Sequence, residues 1–506
     1  MKFTYPFIFS FLISLFISCD KRDKESDRTI QLNDFATWRN DDYMLSSEKI
    51  KQHIDMLCHK RLKMYTDETV RNYYKEGNTF LWVYPGGVSE QADTLLKYLT
   101  SVTQEGLPEN VLKANHLRQQ MDKIRTLDFE KDNINIVYAE TEYLLTTALL
   151  RYTCGERFGY IRPDILFNRL EKADDKPKTP FTRLYDIQTE RADTLFIKQS
   201  LDAIKEKGFG QYLLSVRSQN PLFHHLTTIY KDTTDSLYRK KIIANMERFR
   251  WQTEDLGEKY IFVNLAAMQL QAIDHHDGDT LEMRICGGTL KHKSPMLNSH
   301  IERIDMNPYW NIPFSIIKKE IAPAHAQDSA YFARNNYRIL EKRSGKELDP
   351  KDVTRKMLLS GDYRIRQDNG EGNSLGRLIL RFPNNFAVYL HDTNNKSAFR
   401  REKRMVSHGC IRVEQPLELA IFVLDKPENE DIDKIRTAIG LPPLSEDFEQ
   451  DTTDTAEIKM EIMHVKPTVP VMISYFTLYP DIHGKWQSHP DLYGYDKVIL
   501  EKLATY

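Results

Sequence analysis

Ser407-His408-Gly409-Cys410-Ile411-Arg412-Val413 is the stretch that decides what this 506-residue chain folds into and does, together with His391 upstream of it. A cysteine near a histidine is the minimum for thiol nucleophilic catalysis, because the histidine takes the proton and the thiolate attacks a carbonyl. A glycine before the cysteine lets the backbone turn tightly, and backbone N–H groups at such a turn can bind an oxyanion. The stretch therefore predicts a nucleophile at Cys410.

The spacing leaves the identity of the base open. His408 is two residues from Cys410, so on an extended segment both side chains share a face. His391 can instead face Cys410 from a neighbouring strand. Two other readings use the same residues. In one, Cys410 is a buried structural cysteine and the histidines satisfy local hydrogen bonds. The other is a zinc site made of His391, His408 and Cys410, for which no fourth ligand stands out.

The composition excludes several classes of protein. Bases number 71 and acids 73, a net charge of −2, which lacks the basic excess of a nucleic-acid binder. Hydrophobic residues make up 41% of the chain, enough for full cores in about three domains. The five cysteines form no CxxC pair, which excludes a zinc ribbon. Cys58 and Cys154 can pair in an oxidising compartment, but only their number suggests it.

The N-terminus predicts export. Lys2 precedes an apolar run over residues 7–18, which suits a signal-peptide core and is short for a membrane span. The run ends at Ser18-Cys19 before a very polar segment, which resembles a bacterial lipoprotein signal. We therefore expect a signal peptide over 1–19, lipid on Cys19 and a linker over 20–45. The alternative is an ordinary secretory signal with an incidental cysteine.

The rest of the chain divides into two patterns. Residues 46–250 show apolar spacing near 3.6, which predicts a helical domain. Residues 251–506 change to the two-residue period of strands, with inserted helices. Residues 259–273 are predicted to form a strand or a hairpin arm. The other predicted strands are 281–285, 375–382, 386–390 and 469–476, and the predicted helices are 315–338 and 414–424. An acidic loop is expected at about 445–460. The fold class is thus α+β, a helical domain followed by a β-rich one.

Two short motifs in the sequence together resemble the signature of a known family. Tyr389-Leu390-His391-Asp392-Thr393, a gap, and then Ser407-His408-Gly409-Cys410 are similar to the catalytic signature of YkuD-type L,D-transpeptidases. Further stretches resemble the large, YcbB-like branch of that family, with its helical scaffold domain, and the likeness covers most of residues 60–500. They are 106–108, 143–163, 245–251, 307–313, 331–337 and 491–496. The small peptidoglycan-binding module usual in that branch is missing, since only about 221–250 is left for it.

The resemblance implies roles for the signature residues. Cys410 would be the nucleophile and His391 the general base. Ser407 would position an imidazole through its backbone carbonyl. His408 and Gly409 would shape the turn, whose N–H groups would bind the oxyanion.

It also implies how substrate is held. Tyr389 would lie beside the base, and Arg412 would brace the loop or meet a substrate carboxylate. A helical insertion at about 315–368 would cap the bound stem peptide. No metal or organic cofactor would be needed.

The implied reaction is acyl transfer between peptidoglycan stem peptides. The cysteine would form a thioester with release of the terminal D-alanine, and a neighbouring stem amine would complete a 3→3 cross-link. Acylation by carbapenems at the same cysteine is expected, in a periplasmic enzyme anchored by lipid to the cell envelope. The alternatives are an L,D-carboxypeptidase on the same site, a papain-like thiol protease, whose cysteine would precede the histidine, and a non-catalytic cell-wall lipoprotein.

Overall fold

The computed structural model describes residues 45–59, 64–129, 133–172, 180–328, 330–446, 448 and 460–506. The predicted signal peptide with Cys19, nearly all of the predicted linker and most of the predicted acidic loop lie outside these residues. The chain forms two compact units. The first comprises the described residues up to Cys154 together with Ala192–Arg217 and Tyr506, and the second comprises Gly155–Arg191 and Ser218–Thr505.

Helices dominate up to residue 250, as the apolar spacing predicts. They are α1 (Ser47–Cys58), α2 (Thr66–Lys75), α3 (Glu90–Gln104), α4 (Glu109–Leu112), α5 (Ala114–Thr126), α6 (Ile134–Phe158), α7 (Pro163–Phe167), α8 (Thr194–Asp202), α9 (Phe209–Ser215), α10 (Pro221–Asp232) and α11 (Ser236–Arg250), with a 3-10 turn at Ala203–Lys205. Short strands β1 (Val83–Tyr84), β2 (Gly87–Val88) and β3 (Tyr185–Asp186) interrupt them. Cys58 and Cys154 are free, buried thiols.

One buried carboxylate organises the first unit. Glu142 of α6 accepts hydrogen bonds from the backbone N–H groups of Leu81, Trp82 and Val83 at 2.7, 2.9 and 3.1 Å. The Tyr74 hydroxyl also donates to it, at 2.8 Å. These bonds satisfy backbone groups that would otherwise be buried without partners. Burial nevertheless raises the pKa of Glu142 to about 7.

Strands dominate from residue 259 onward, within the second unit. They are β4 (Lys259–Asn264), β5 (Gln269–Asp274), β6 (Asp279–Gly288), β7 (Met296–Met306), β8 (Trp310–Asn311), β9 (Tyr337–Glu341), β10 (Glu347–Leu348), β11 (Tyr363–Gln367), β12 (Leu378–Arg381), β13 (Leu390–His391), β14 (Met405–Ser407), β15 (Ile411–Val413), β16 (Glu461–Ser474), β17 (Leu478–Pro480) and β18 (Trp486–Ser488). The helices between and after them are α12 (Phe314–Ile316), α13 (Ala322–Gln327), α14 (Tyr331–Arg334), α15 (Arg355–Ser360), α16 (Pro416–Phe422), α17 (Asn429–Ala438) and α18 (Tyr495–Ala504), with a π-helix at Ile317–Ile321 and 3-10 turns at Pro350–Asp352 and Lys396–Arg400.

The main sheet closes on itself. Across the described part of the chain its order is β12-β13-β15-β6-β5-β4-β16-β7-β3, and β12 also pairs with β7. Eight of these strands therefore form a ring. Its inner face is apolar, with Leu390, Ile411 and Val413 almost completely buried. Because side chains alternate along a strand, the residues between them point to the outer face.

The strand predicted at 386–390 is much shorter than expected. Extended pairing begins only at Leu390. The side chain of Asn384 bonds four backbone groups of this loop, the carbonyls of Phe382 and Val388 and the N–H groups of Phe386 and Val388. Ala387 has a positive φ of 54°. These bonds hold a turn where the apolar pattern indicated a strand.

The predicted insertion is a small folded body within the second unit. Its helices surround a four-stranded sheet of order β10-β9-β11-β8. Phe332, Ile339 and Ile365 are almost fully buried at its centre. The helix expected over 315–338 is confirmed only in part: the described residues form α12, the π-helix, α13 and α14, and residues 337–338 belong to strand β9. The fold class predicted from the sequence is confirmed. None of the helices in the described ranges is both long enough and apolar enough to span a bilayer.

Candidate active site

Strand register gathers the predicted site residues on one face. Strand β13 runs parallel to β15, with His391 opposite Arg412. The Ile411 N–H donates to the Tyr389 carbonyl at 3.1 Å, which places Cys410 beside Tyr389. Since side chains two residues apart share a face, Tyr389, His391, Cys410 and Arg412 all lie on the outer face of the ring. The Tyr389 and His391 rings accordingly meet edge to face, 5.8 Å apart.

The imidazole of His391 is buried, with 4% of its surface exposed. Its Nδ1 bonds the backbone carbonyl of Asp392. A carbonyl can only accept, so Nδ1 carries the proton and Nε2 keeps its lone pair. Burial and the charge of Arg412 lower the pKa of His391 to about 4, against the opposing carbonyls of Asp392 and Leu375. At neutral pH the ring is therefore uncharged and able to accept a proton.

Asp392 is itself fixed in place. Its Oδ2 accepts from the Arg377 N–H at 2.8 Å, and Oδ1 forms an ion pair with Lys396. Gly376 has a φ of +65°, and a Cβ there would lie 2.3 Å from the Asp392 carboxyl group. Only glycine allows this approach. The residue that orients the imidazole thus has both carboxyl oxygens engaged.

The Cys410 thiol lies among groups that stabilise its thiolate. Burial raises its pKa, while hydrogen bonds from Tyr389 and the charges of Arg381 and Arg412 lower it. Its Sγ also lies 3.9 Å from the Ala387 carbonyl. Since burial is the largest effect, the resting group is the neutral thiol, and a base must remove its proton.

Two arginines flank this group. The guanidinium of Arg381 lies over the Tyr389 ring, 4.8 Å from its centre, and pairs with the buried Asp305. Arg412 has a buried Nε for which the described residues supply no hydrogen-bond partner. Burial lowers the pKa of Arg412. Arg381 is therefore engaged by protein groups, whereas the Nε of Arg412 can still donate a hydrogen bond.

The turn that carries Cys410 is held by Ser407. Its hydroxyl donates to the Cys410 carbonyl at 2.6 Å and accepts from the Gly409 N–H at 3.1 Å. Gly409 has a φ of +117°, which a residue with a side chain rarely adopts. The Ser407 carbonyl accepts from the Thr289 N–H at 3.0 Å.

Residues distant in sequence also stabilise this turn through hydrogen bonds. The Ser294 hydroxyl donates to the Gly409 carbonyl at 2.8 Å and accepts from the Gly288 N–H at 2.9 Å. The Tyr493 hydroxyl donates to the Gly288 carbonyl at 2.7 Å. The Tyr493 N–H in turn donates to the Tyr475 hydroxyl at 2.9 Å. The conformation of the turn therefore depends on the C-terminal segment.

His408 points to the insertion. Its Nε2 lies 2.6 Å from Glu320 Oε1, on the π-helix. The His292 ring is 5.0 Å from that of His408. Both members of the His408–Glu320 pair are about half exposed. The insertion thus contacts the segment just before Cys410.

Comparison with known proteins identifies this arrangement. Residues 258–436 match the L,D-transpeptidase catalytic domain of the YkuD family, and residues 68–228 match the Scaffold domain. A protein of Haemophilus influenzae named Putative L,D-transpeptidase is 27% identical over 365 residues, which cover 70% of each chain. The chain combines a YkuD L,D-transpeptidase catalytic domain with a scaffold domain. The predicted family is confirmed, and the matches support an activity of the L,D-transpeptidase type.

The two histidines of this L,D-transpeptidase domain differ in their surroundings. The Nδ1 of His391 is engaged by Asp392 and its ring shares a face with Cys410, whereas the Nε2 of His408 is engaged by Glu320. The contacts of two residues differ from those expected. The carbonyl that bonds Nδ1 of His391 belongs to Asp392, and the Ser407 carbonyl accepts from the Thr289 N–H instead. The Gly409 N–H is not free to bind an oxyanion, because the Ser407 hydroxyl accepts from it.

Several residues that contact the site were not predicted from the sequence. Ser294, Glu320 and Arg381 touch the site from elements far along the chain, and no local pattern marks them. Tyr493 lies in the tail stretch that resembles the family, but nothing in that stretch tied it to the turn. Within the described ranges, no group of three or more His, Cys, Asp or Glu side chains is arranged to hold a metal ion.

The charge state of His391 can be measured directly. We expect its ring resonances in an NMR titration to remain those of neutral imidazole until about pH 4. In Arg412→Met the pKa should rise toward, but not reach, the usual 6.5, because burial is the larger cause and remains. Arg400→Met, in the exposed loop, serves as the control and should leave it unchanged. A wild-type pKa near 6.5 would contradict this account of the site.

Proposed function

We propose that this protein forms 3→3 cross-links in peptidoglycan through a thioester on Cys410. The observation that carries the proposal is the shared face of His391, with its lone pair on Nε2, and Cys410. The family match supports the general activity. The helical domain over about 46–250 and the catalytic domain over about 251–506, with its cap, stay our proposed division.

In the first half-reaction Cys410 is acylated. Nε2 of His391 takes the thiol proton as sulfur attacks the carbonyl carbon of the third stem residue. The tetrahedral intermediate collapses as the bond to the terminal D-alanine breaks. His391 returns its proton to the departing amine, and a thioester remains on Cys410.

In the second half-reaction the thioester is resolved. The side-chain amine of a neighbouring stem attacks the thioester carbonyl, and His391 accepts a proton from that amine. The bond to sulfur breaks, and the proton passes to the Cys410 thiolate. An amide joins the two third residues, which is the 3→3 cross-link. If water attacks instead, the product is a shortened stem.

We assign the binding of the oxyanion to two groups. One is the backbone N–H of Cys410 itself, since that of Gly409 is engaged by Ser407. The other is the Tyr389 hydroxyl, which lies against the sulfur and whose pKa burial raises, so that it stays a donor. Donors aimed at developing charge are a large source of rate enhancement in acyl transfer.

Arg412 is the proposed binding group for a substrate carboxylate. Its Nε is buried without a partner among the described residues, although the group is a charged donor. A buried cation is stabilised when an anion binds it. A carboxylate of the donor stem would supply that anion on the same face as Cys410.

Release of D-alanine tests the central proposal. We expect purified enzyme to convert disaccharide tetrapeptide into free D-alanine and a cross-linked dimer, resolved by mass spectrometry. Cys410→Ala should abolish both products, and His391→Ala should lower the rate by about 10²–10⁴, as for loss of a general base. D-alanine without dimer would identify a carboxypeptidase. Unchanged turnover in Cys410→Ala would refute the thioester mechanism.

The insertion is the proposed cap over bound stem, and the Glu320–His408 contact supports this. Glu320→Gln keeps the shape but removes the charge. Since exposed pairs contribute roughly 0.2–1 kcal/mol, we expect KM for the stem substrate to rise up to about fivefold, with kcat nearly unchanged.

The insertion itself offers a matched control for this variant. Glu347→Gln removes the charge from an exposed pair with Arg338, 3.1 Å apart. That pair lies within the insertion, so this variant should behave as wild type. Equal kinetic effects of the two substitutions would argue against a capping contact at Glu320.

The proposed location is the periplasm, with lipid on Cys19 holding the enzyme to the cell envelope. The polar stretch after Cys19 would be the tether. In cells fed a labelled fatty acid, we expect the wild-type protein to incorporate label and fractionate with membranes. Cys19→Ala should lose both, while Cys58→Ala should keep both. Label retained in Cys19→Ala would rule out lipidation at that residue.

A further inference from the structure

Two further charged residues share the outer face of the ring with the active site. Strand β12 lies between β7 and β13, and its Ile379 pairs with Asp305 on one side and with His391 on the other. Paired residues, and every second residue along a strand, lie on one face of a sheet. Asp305 and Arg381 therefore lie on the same outer face as His391 and Cys410.

Asp305 is the fixed point of this arrangement, because its side chain is completely buried. Its Oδ2 accepts a hydrogen bond from Nε of Arg381. Its Oδ1 lies 3.0 Å from Nε of Arg303 as an ion pair, but without hydrogen-bond geometry. A buried carboxylate is stable only where cations and donors compensate its charge. Asp305 therefore holds the guanidinium of Arg381 in place, and Arg303 is its weaker partner.

Arg381 in turn holds the ring of Tyr389. Its guanidinium lies over the face of that ring, 4.8 Å from the centre, where the negative face attracts a cation. The backbone bond from Ile411 to the Tyr389 carbonyl fixes the face of the sheet on which the ring lies, but not its side-chain torsions. Those torsions are set by the stacked guanidinium of Arg381 and by the edge-to-face contact with His391.

The angle of this ring decides where its hydroxyl lies, because the hydroxyl is the atom of the side chain farthest from the backbone. Burial raises the pKa of Cys410, while a hydrogen bond from the Tyr389 hydroxyl and the charge of Arg381 lower it. A ring that turned about its torsions would take the hydroxyl away from the sulfur. Direct contacts thus connect the buried Asp305 to the sulfur of Cys410.

We propose that Arg381 is a positioning residue of the acyl transfer, which fixes the ring of Tyr389 so that its hydroxyl stays against the sulfur of Cys410 and donates to the oxyanion. Asp305 acts through Arg381 by anchoring its guanidinium. The proposal rests on the proposed thioester mechanism, since attack by the sulfur on a carbonyl is what creates that oxyanion.

Turnover tests whether Arg381 acts through the tyrosine hydroxyl. The release of D-alanine from disaccharide tetrapeptide is measured with the full mature chain. We expect Arg381→Met to lower kcat by about tenfold with KM nearly unchanged, because the misplaced donor serves only the transition state. In the Tyr389→Phe background the same substitution should lower kcat by no more than about threefold, because no hydroxyl is left to misplace.

The ionisation of the thiol gives a readout that a general loss of stability would not move. Alkylation of Cys410 by iodoacetamide, mapped by peptide mass, follows the thiolate and becomes faster as pH rises. Removing the cation or the hydrogen bond disfavours the thiolate, so Arg381→Met and Tyr389→Phe should each shift this profile to higher pH.

Arg303→Met is the matched control. It removes a cation from the same buried carboxylate, but Arg303 lies on β7, one strand farther from Tyr389 than Arg381. We expect the alkylation profile of this variant to stay in place and its kcat to remain within about twofold of the wild type, as for loss of a partly exposed ion pair.

Equal fold losses of kcat for Arg381→Met in the two backgrounds, or an alkylation profile that does not move, would overturn the proposal. So would a loss in Arg303→Met as large as that in Arg381→Met. Melting temperatures identify a variant that fails to fold, and Arg381→Gln then takes the place of Arg381→Met. D-alanine release that persists in Cys410→Ala would instead show that the proposed function is at fault, and the alkylation profiles would still test the placement of Tyr389.

Discussion

The parallel pairing of β13 with β15 is the constraint on which the active site depends. The pairs Leu390–Ile411 and His391–Arg412 define the register, and the alternation of side chains along each strand then decides which residues face outward. Apolar residues fill the inside of the ring, while His391 and Cys410 face outward together. A shift of one residue would turn His391 and Cys410 toward the apolar inside of the ring and turn apolar residues outward, so packing of the ring and assembly of the site depend on the same register.

Burial shifts the pKa values of the groups that the pairing of β13 with β15 brings together. It keeps His391 neutral, Cys410 protonated and Tyr389 a donor, each by disfavouring the charged form. Arg412 strengthens the effect on His391 while easing ionisation of Cys410. The resting site is therefore uncharged at its reacting atoms, and charge develops only as the substrate carbonyl is attacked.

The sequence predicted features that depend on neighbouring residues, but it did not predict contacts between residues that are far apart in the chain. The motif around Cys410 predicted the family, and the apolar periods predicted a helical part followed by a β-rich part; both are confirmed. The role of Cys410 as nucleophile stays a prediction. The spacing could not choose between His391 and His408, because that choice depends on strand register and on Glu320 in an insertion. The carbonyl of Asp392 replaced that of Ser407 as the orienting group for the same reason. Likewise, hydrogen bonds from the Asn384 side chain to the backbone hold a turn where the apolar run over 386–390 favoured a strand.

The most direct test of the account is the intact mass of the protein after incubation with a carbapenem. A β-lactam presents an amide carbonyl to the thiol and stays attached when the thioester is not resolved. The account predicts one added drug mass on the wild type and none on Cys410→Ala. A folded wild-type protein that gains no mass would contradict the claim that Cys410 and His391 form an acylating pair.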